Sequence, residues 1–205
     1  GDRGMTAQDL FRCIGNLSDT MIEESADIRR KKRWLPIAAL AACAVAWKFG
    51  ISGETAAAAL AEFHGAGRRL EYKGSFHGAD VYDDYAHHPN ELHALLQAVR
   101  LMHYRRVICA FQPHTYSRTK ALFQSFVDEL RTADQVVLAD IYAAREQNTV
   151  GVSSQELAAE IPGAVYCPSL QGVTAYLREN AQPGDIILTV GAGDIYKAGE
   201  ALFTE

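Results

Sequence analysis

The sequence predicts an α/β fold: a mostly parallel sheet with helices on both faces, preceded by an all-helical N-terminal segment. Three observations carry that prediction. Short apolar runs at 106–111, 135–139 and 185–190 have no polar face, as expected of strands covered on both sides. Between such runs lie stretches whose apolar residues recur at helical spacing, as in Leu92, Leu95, Leu96 and Val99. The two kinds of segment alternate, which makes βαβ units and a Rossmann-like arrangement.

In chain order, Leu10, Ile14 and Leu17 fall on one helix face, and Ser18 or Asp19 can cap a second helix from Met21 to Arg33. Arg29 to Trp34 is a basic cluster followed by an apolar run from Leu35 to Trp47. About 20 apolar residues are needed to span a bilayer, and Lys48 and Gly50 end this run too early, so no membrane contact is expected. Ala38–Phe49 and Glu54–Phe63 read as an Ala-rich helix pair, with Gly50 suited to C′ and Ser52 or Gly53 to the next cap. Gly65-Ala66-Gly67 marks a domain boundary. The expected organisation is a helical head at 1–34, a helix pair at 35–66 and an α/β domain at 67–205.

Within that domain, Glu71–Phe76 and Ala79–Tyr85 form a hairpin across His77-Gly78. A helix from Asn90 to His103, a strand from Arg106 to Phe111, a helix from Lys120 to Arg131 and a strand from Gln135 to Ala139 follow. Ser153–Glu160 is a short helix with a Ser153/Glu156 capping box. Val165–Cys167, a helix over Leu170–Asn180, the strand Asp185–Val190 and a last helix from Asp194 complete the pattern.

Composition narrows the function. A hydrophobic content of 48% supplies a core, and a formal charge of -5 excludes the broad basic face of a general nucleic-acid binder. Cys13, Cys43, Cys109 and Cys167 have no C-x-x-C spacing and read as reduced thiols of a cytoplasmic protein.

Chemistry concentrates in two strand-to-helix turns. Asp83-Asp84-Tyr85-Ala86-His87-His88-Pro89 places two carboxylates, a phenol and two imidazoles at a strand's C-terminal edge, where open α/β sheets bind ligands. Asp or Asn as a cap and Pro as a helix start are ordinary; a His-His pair is explained by neither. The second turn, Phe111 to Thr119, adds His114, Tyr116, Ser117 and Arg118. It shares that edge if the two strands are parallel neighbours. Arg118 can hold a carboxylate in two hydrogen bonds. Gly191-Ala192-Gly193 has Tyr196 where a dinucleotide fingerprint needs a third glycine, so close packing explains it better than phosphate binding.

The first turn resembles the D-D-Y-A/G-H-H-P signature of the UDP-N-acetylmuramate–L-alanine ligases of the Mur ligase family. Gly67 to Glu71, Phe111 to Thr119, Asp140 to Glu146 and Gly191 to Ile195 resemble further family stretches in the same order. The resemblance covers about 41–205. Before it, Leu35-Pro36-Ile37 replaces the family's asparagine-bearing stretch. Met5 to about Leu40 instead looks like the cytoplasmic head of a small membrane-anchored protein, joined near Ala38–Ala44.

The resemblance implies an ATP- and Mg2+-dependent ligase of peptidoglycan synthesis. An acyl phosphate formed on the lactyl carboxylate of UDP-N-acetylmuramate is attacked by the amine of L-alanine. By matching position, Tyr85, His87, His114 and Arg118 would line the alanine pocket, with Arg118 on the carboxylate. His87, His88 and His114 are the expected catalytic groups, one of the His87–His88 pair orienting the amine or accepting its proton. Asp84 would orient an imidazole or position nucleotide, and Tyr116 would bind substrate. Arg68 and Arg69 would sit near substrate between domains, unless Arg68 or Arg69 merely pairs with Glu71. Thr115 stands where many members carry a second Arg. No G-x-x-x-x-G-K-[ST] phosphate loop occurs in these 205 residues, so ligation by this stretch alone is not expected. Two alternatives stay open: a murein-peptide recycling ligase, and a non-catalytic regulatory protein that uses residues 1–34 as a membrane-proximal head.

Overall fold

A computed structural model describes residues 35–62 and 67–204. The helices expected over Leu10–Leu17 and Met21–Arg33, and the basic cluster between Arg29 and Trp34, lie outside the described residues. The chain divides into two compact units, Gly1–His64 and Gly65–Glu205.

In the first unit the apolar run forms α1 (Leu35–Lys48), and α2 (Gly53–Ala61) follows. Ser52, rather than Gly53, caps α2: its side chain accepts from the Thr55 amide at 3.1 Å. Cys43 and Ala56 are buried. Val45, Trp47, Phe49 and Ile51 are exposed. Among the described residues no helix is long and apolar enough to cross a membrane.

The second unit begins with a hairpin, β1 (Glu71–Phe76) and β2 (Ala79–Asp84). Its turn is His77-Gly78, both at positive φ, which suits the twist of an antiparallel pair. Then come α3 (Pro89–Arg100), β3 (Arg106–Phe111), α4 (Tyr116–Ala121), α5 (Phe123–Leu130) and β4 (Gln135–Leu138). α6 (Ser154–Ala159), β5 (Val165–Tyr166), α7 (Leu170–Asn180), β6 (Asp185–Val190) and α8 (Tyr196–Glu200) complete it. The strand order is β1-β2-β6-β3-β4-β5, with only β1 antiparallel to its neighbour.

Why the all-apolar strands are buried on both sides is visible in β3. Val107, Cys109 and Phe111 pack with Leu92, Leu96, Phe126 and Leu130 on one face. Ile108 and Ala110 pack with Val173, Leu177 and Ile195 on the other. Alternate residues of a strand point to opposite faces, so a strand without a polar face needs a helix on each side. The thiol of Cys109, pushed up to about 12 by burial, is core, as its setting in an apolar run suggests.

One helix differs from expectation. The segment read as starting at Lys120 begins at Tyr116 and breaks at Leu122 (φ -114°, ψ 19°) into α4 and α5. The apolar period that signals a helix belongs to α5 alone. α4 has no such stripe; its first turn is held by Glu146, whose carboxylate accepts from the Ser117 amide (2.9 Å) and hydroxyl (2.5 Å).

The topology decides where the chemistry meets. β2 and β3 both run parallel to β6, one on each side. Asp84 and Phe111 are both in register with Val190. The two chemical turns therefore leave one rim at one height, from strands about 10 Å apart. β2 and β3 are not neighbours, the condition under which the sequence placed both turns on one edge, yet the turns share it. β6, buried at all six positions, lies between them and takes the centre of the sheet.

Candidate functional site

The first turn is built by its own carboxylates. Asp84 accepts from the Ala86 amide (2.8 Å) with one oxygen and from the Leu70 amide (2.7 Å) with the other. Both oxygens thus hold backbone, and Asp84 shapes the turn. His88 is the N-cap of α3; its Nδ1 accepts from the Asn90 amide at 3.3 Å, with Pro89 as the first helical residue. The cap that the sequence reading looked for in Asp or Asn is thus an imidazole. Glu91 completes the box, accepting from the His87 (2.9 Å) and His88 (3.1 Å) amides. Burial works against the Glu91 charge, but those amides and the His87 imidazole hold its carboxyl below the usual range. Replacing His88 by Ala is expected to cost about 1 kcal/mol, with His88→Asn restoring it, as read by urea denaturation.

His87 is left for the rim. Its Nδ1 lies 3.0 Å from the Tyr85 carbonyl and 3.4 Å from a Glu91 carboxylate oxygen. Both can only accept, so Nδ1 carries the proton and, in the neutral ring, Nε2 carries the lone pair.

The second turn has the opposite polarity. The His114 Nδ1 lies 3.4 Å from Arg118 Nη1, and a guanidinium can only donate. Nδ1 therefore accepts, and neutral His114 bears its proton on Nε2. Burial, Arg118 and His87 hold the His114 pKa below the ordinary value, against a weaker opposing pull from Glu146. The His87 and His114 ring centroids are 5.9 Å apart, and Tyr85 meets His87 edge-on at 5.4 Å. One imidazole offers an acceptor and its neighbour a donor. Thr115 shapes this turn at φ 66°, ψ 142°, an uncommon conformation for a β-branched residue costing about 1–3 kcal/mol. Its amide donates to the Tyr142 carbonyl (2.9 Å), and its carbonyl accepts from the Thr119 hydroxyl (2.7 Å).

The three arginines differ in what already holds them. Arg68 pairs with Asp83 (2.7 Å) and donates to the carbonyls of Gly191 (2.5 Å) and Gly193 (3.1 Å). Its guanidinium also lies over Tyr85 (5.0 Å) and Tyr196 (4.8 Å). Glu71, offered as a partner by the sequence, takes the Arg68 backbone amide instead. Arg69 is exposed and lies over Tyr85 at 5.4 Å. Arg118 is half-buried and, among the described residues, its guanidinium has no carboxylate partner and no backbone carbonyl; its one side-chain bond is to His114.

Tyr116 lines a shallow hollow of about 320 Å³ with Ser117, Glu146, Gln147, Thr149 and Val150. The Gly191–Gly193 turn is packed from within. Gln112 Oε1 accepts from the Asp194 (2.9 Å) and Ile195 (3.1 Å) amides, and its Nε2 donates to Asp194 (3.0 Å). Those amides already have their acceptor, as does the Gly191 amide in the Asp84 carbonyl. Among the described residues no group of three His, Cys, Asp or Glu could hold a metal ion.

Tyr142 is the rim residue that sequence reasoning passed over within the Asp140–Glu146 stretch. It stacks on His114 with centroids 5.7 Å apart and planes at 16°. Only the return of the chain after β4, bridging His114 to Tyr142, brings it there.

Fold and rim together define an α/β domain that gathers a cation, a donor and an acceptor outside the carboxyl ends of its strands. The chain belongs to the Mur ligase family: the family model described as "Mur ligase, glutamate ligase domain" matches residues 68–193. Similar proteins include the UDP-N-acetylmuramate–L-alanine ligase of Caldanaerobacter subterraneus subsp. tengcongensis, 45% identical over 82% of this chain and 37% of that protein. That of Lachnospira eligens is 48% identical over 80% of this chain and 36% of its own length. The crystal structure of the Thermotoga maritima UDP-N-acetylmuramate-alanine ligase matches with TM-score 0.62 and 25% identity, over 80% of this chain and 36% of that one. The chain thus spans little more than a third of these relatives, and the matching part is their C-terminal region.

Proposed function

We propose that residues 67–205 are the amino-acid-binding, closing domain of an ATP-dependent ligase that joins L-alanine to UDP-N-acetylmuramate in peptidoglycan synthesis in the cytoplasm. The observation that carries this reading is the opposed polarity of His87 and His114 beside an Arg118 that has no carboxylate partner among the described residues. An amino acid has the complementary pattern. Its carboxylate accepts from Arg118 and from His114 Nε2–H. Its ammonium donates to His87 Nε2. An amine attacks an acyl group only as the free base, so transfer of that proton to His87 Nε2 is the step this domain supplies. Tyr85 and Arg69 flank the imidazole pair. On this reading Arg68, Asp84 and His88 build the rim without touching the amino acid. ATP, magnesium and the sugar nucleotide are bound by the rest of the ligase, and residues 1–205 alone release no phosphate from ATP.

The names of the relatives support alanine as the amino acid. The test is a ligand series followed by NMR on the His87, His114 and Arg118 side chains. L-Alanine is expected to perturb all three, while propionate, lacking the amine, and L-alaninamide, lacking the carboxylate, bind far more weakly. Arg118→Ala is expected to weaken L-alanine about 10- to 100-fold, the worth of a charged hydrogen-bond pair. Equal binding of all three ligands, or an Arg118→Ala variant that binds L-alanine as before, overturns the reading.

A further inference from the structure

Tyr142 is 39% exposed, yet its position is tightly determined from below. A Cβ on Gly193 would lie 2.7 Å and 2.8 Å from the Cγ and Cβ of Tyr142 and 2.3 Å from Gln112 Oε1. The ring therefore rests on bare backbone that no other residue type would leave free. Gln112 fixes that backbone in turn, through the Asp194 and Ile195 amides. On its own loop, the Tyr142 amide donates to the Pro113 carbonyl (2.8 Å) and its carbonyl accepts from Thr115 (2.9 Å), so the residues either side of His114 are strapped to it. The phenol ring then lies nearly parallel to the His114 imidazole and offset along it, centroids 5.7 Å apart.

We propose that Tyr142 is the positioning residue of this rim: seated on Gly193, its ring holds the His114 imidazole toward His87 with Nδ1 on Arg118. The charged and titratable groups facing His114 are Arg118 from α4, His87 from the β2–α3 turn and Glu146 from the loop after β4. Tyr142 adds no charge among them. Its contribution is exclusion of water and restriction of ring rotation, which keep one tautomer and hence one donor at Nε2. If the rim takes an amino acid as argued above, Tyr142 sets the direction of the hydrogen bond to its carboxylate without touching the reacting atoms.

The experiment needs no ligand, so its outcome is independent of whether L-alanine binds. In the full chain, ring-proton NOEs between Tyr142 and His114 are expected, and the His114 nitrogen shifts should report a single tautomer with Nε2 protonated. Tyr142→Phe retains the ring and is expected to leave both the titration and the tautomer as they are. Tyr142→Ala opens the imidazole to water. Its titration is expected to move up toward that of an ordinary histidine, and the single-tautomer signature should be lost, while His93 and His103 stay unchanged. Absence of the NOE in the unaltered chain overturns the proposal whatever the variants do. So does an Ala variant of native fold whose His114 behaves as before, or a Phe variant that moves His114 as Ala does.

Discussion

Arg68→Leu is expected to lower the stability of the α/β unit by about 3 kcal/mol at neutral pH, because it leaves the Asp83 carboxylate buried without its cation. Asp83 is 1% exposed and its partners are Arg68 and the Thr189 hydroxyl at 2.9 Å. Burial already outweighs both and holds the Asp83 carboxyl above the usual aspartate range. A carboxyl raised in the folded state disfavours folding as pH climbs through its folded pKa, since the unfolded chain gives up that proton more readily. Removing Arg68 raises it further. The loss in Arg68→Leu is therefore largest at neutral pH and shrinks in acid, where Asp83 is protonated in both states. Denaturant titrations at two pH values check this, and Arg68→Leu with Asp83→Asn is expected to recover part of the loss at neutral pH. A pH-independent loss would place the stabilising role of Arg68 in its bonds to Gly191 and Gly193 or in its contacts with Tyr85 and Tyr196; no loss would show that Arg68 does not stabilise the unit.

The second large effect is expected at Gly191→Ala, at about 3–5 kcal/mol. Gly191 adopts φ 148°, and a Cβ there would lie 2.7 Å from the Gln112 backbone oxygen. Strain and overpacking each cost about 1–3 kcal/mol, and here the obstacle is main chain that cannot rotate aside. Gly191 also donates to the Asp84 carbonyl (3.0 Å) and accepts from Arg68 (2.5 Å). Moving it pulls on the first turn through Asp84, while Gln112 begins the second. Thermal unfolding measures the stability, and the His87–His114 NOE pattern measures the rim. Retention of both would show that the loop after β6 yields without cost.

These two residues mark the limit of what a linear reading can assign. Arg68 was legible as an arginine at a domain boundary, which the family resemblance put near substrate and to which the local sequence offered Glu71 as partner. What decides its role is Asp83, which the β1–β2 hairpin brings back beside it, and the two glycine carbonyls, which lie far along the chain and arrive only when β2 and β6 pair. His88 was legible as half of an unusual pair, but its use as a cap depends on the backbone at Pro89–Glu91. Tyr142 went unassigned because no spacing connects it to His114; a loop returning after β4 does.

By itself the sequence determined the alternation of apolar strands and helices, the parallel sheet and the two turns that bear its chemistry. These follow from local periodicity, from turn residues and from motifs within a few residues of each other. Only the tertiary structure decided that β6 lies between β2 and β3, that Asp84 and Phe111 end level with each other, and that one imidazole donates where its neighbour accepts. The physical reason is that a hydrogen bond's direction depends on the partner a group meets, and these partners are brought together by sheet register rather than by nearness in the chain.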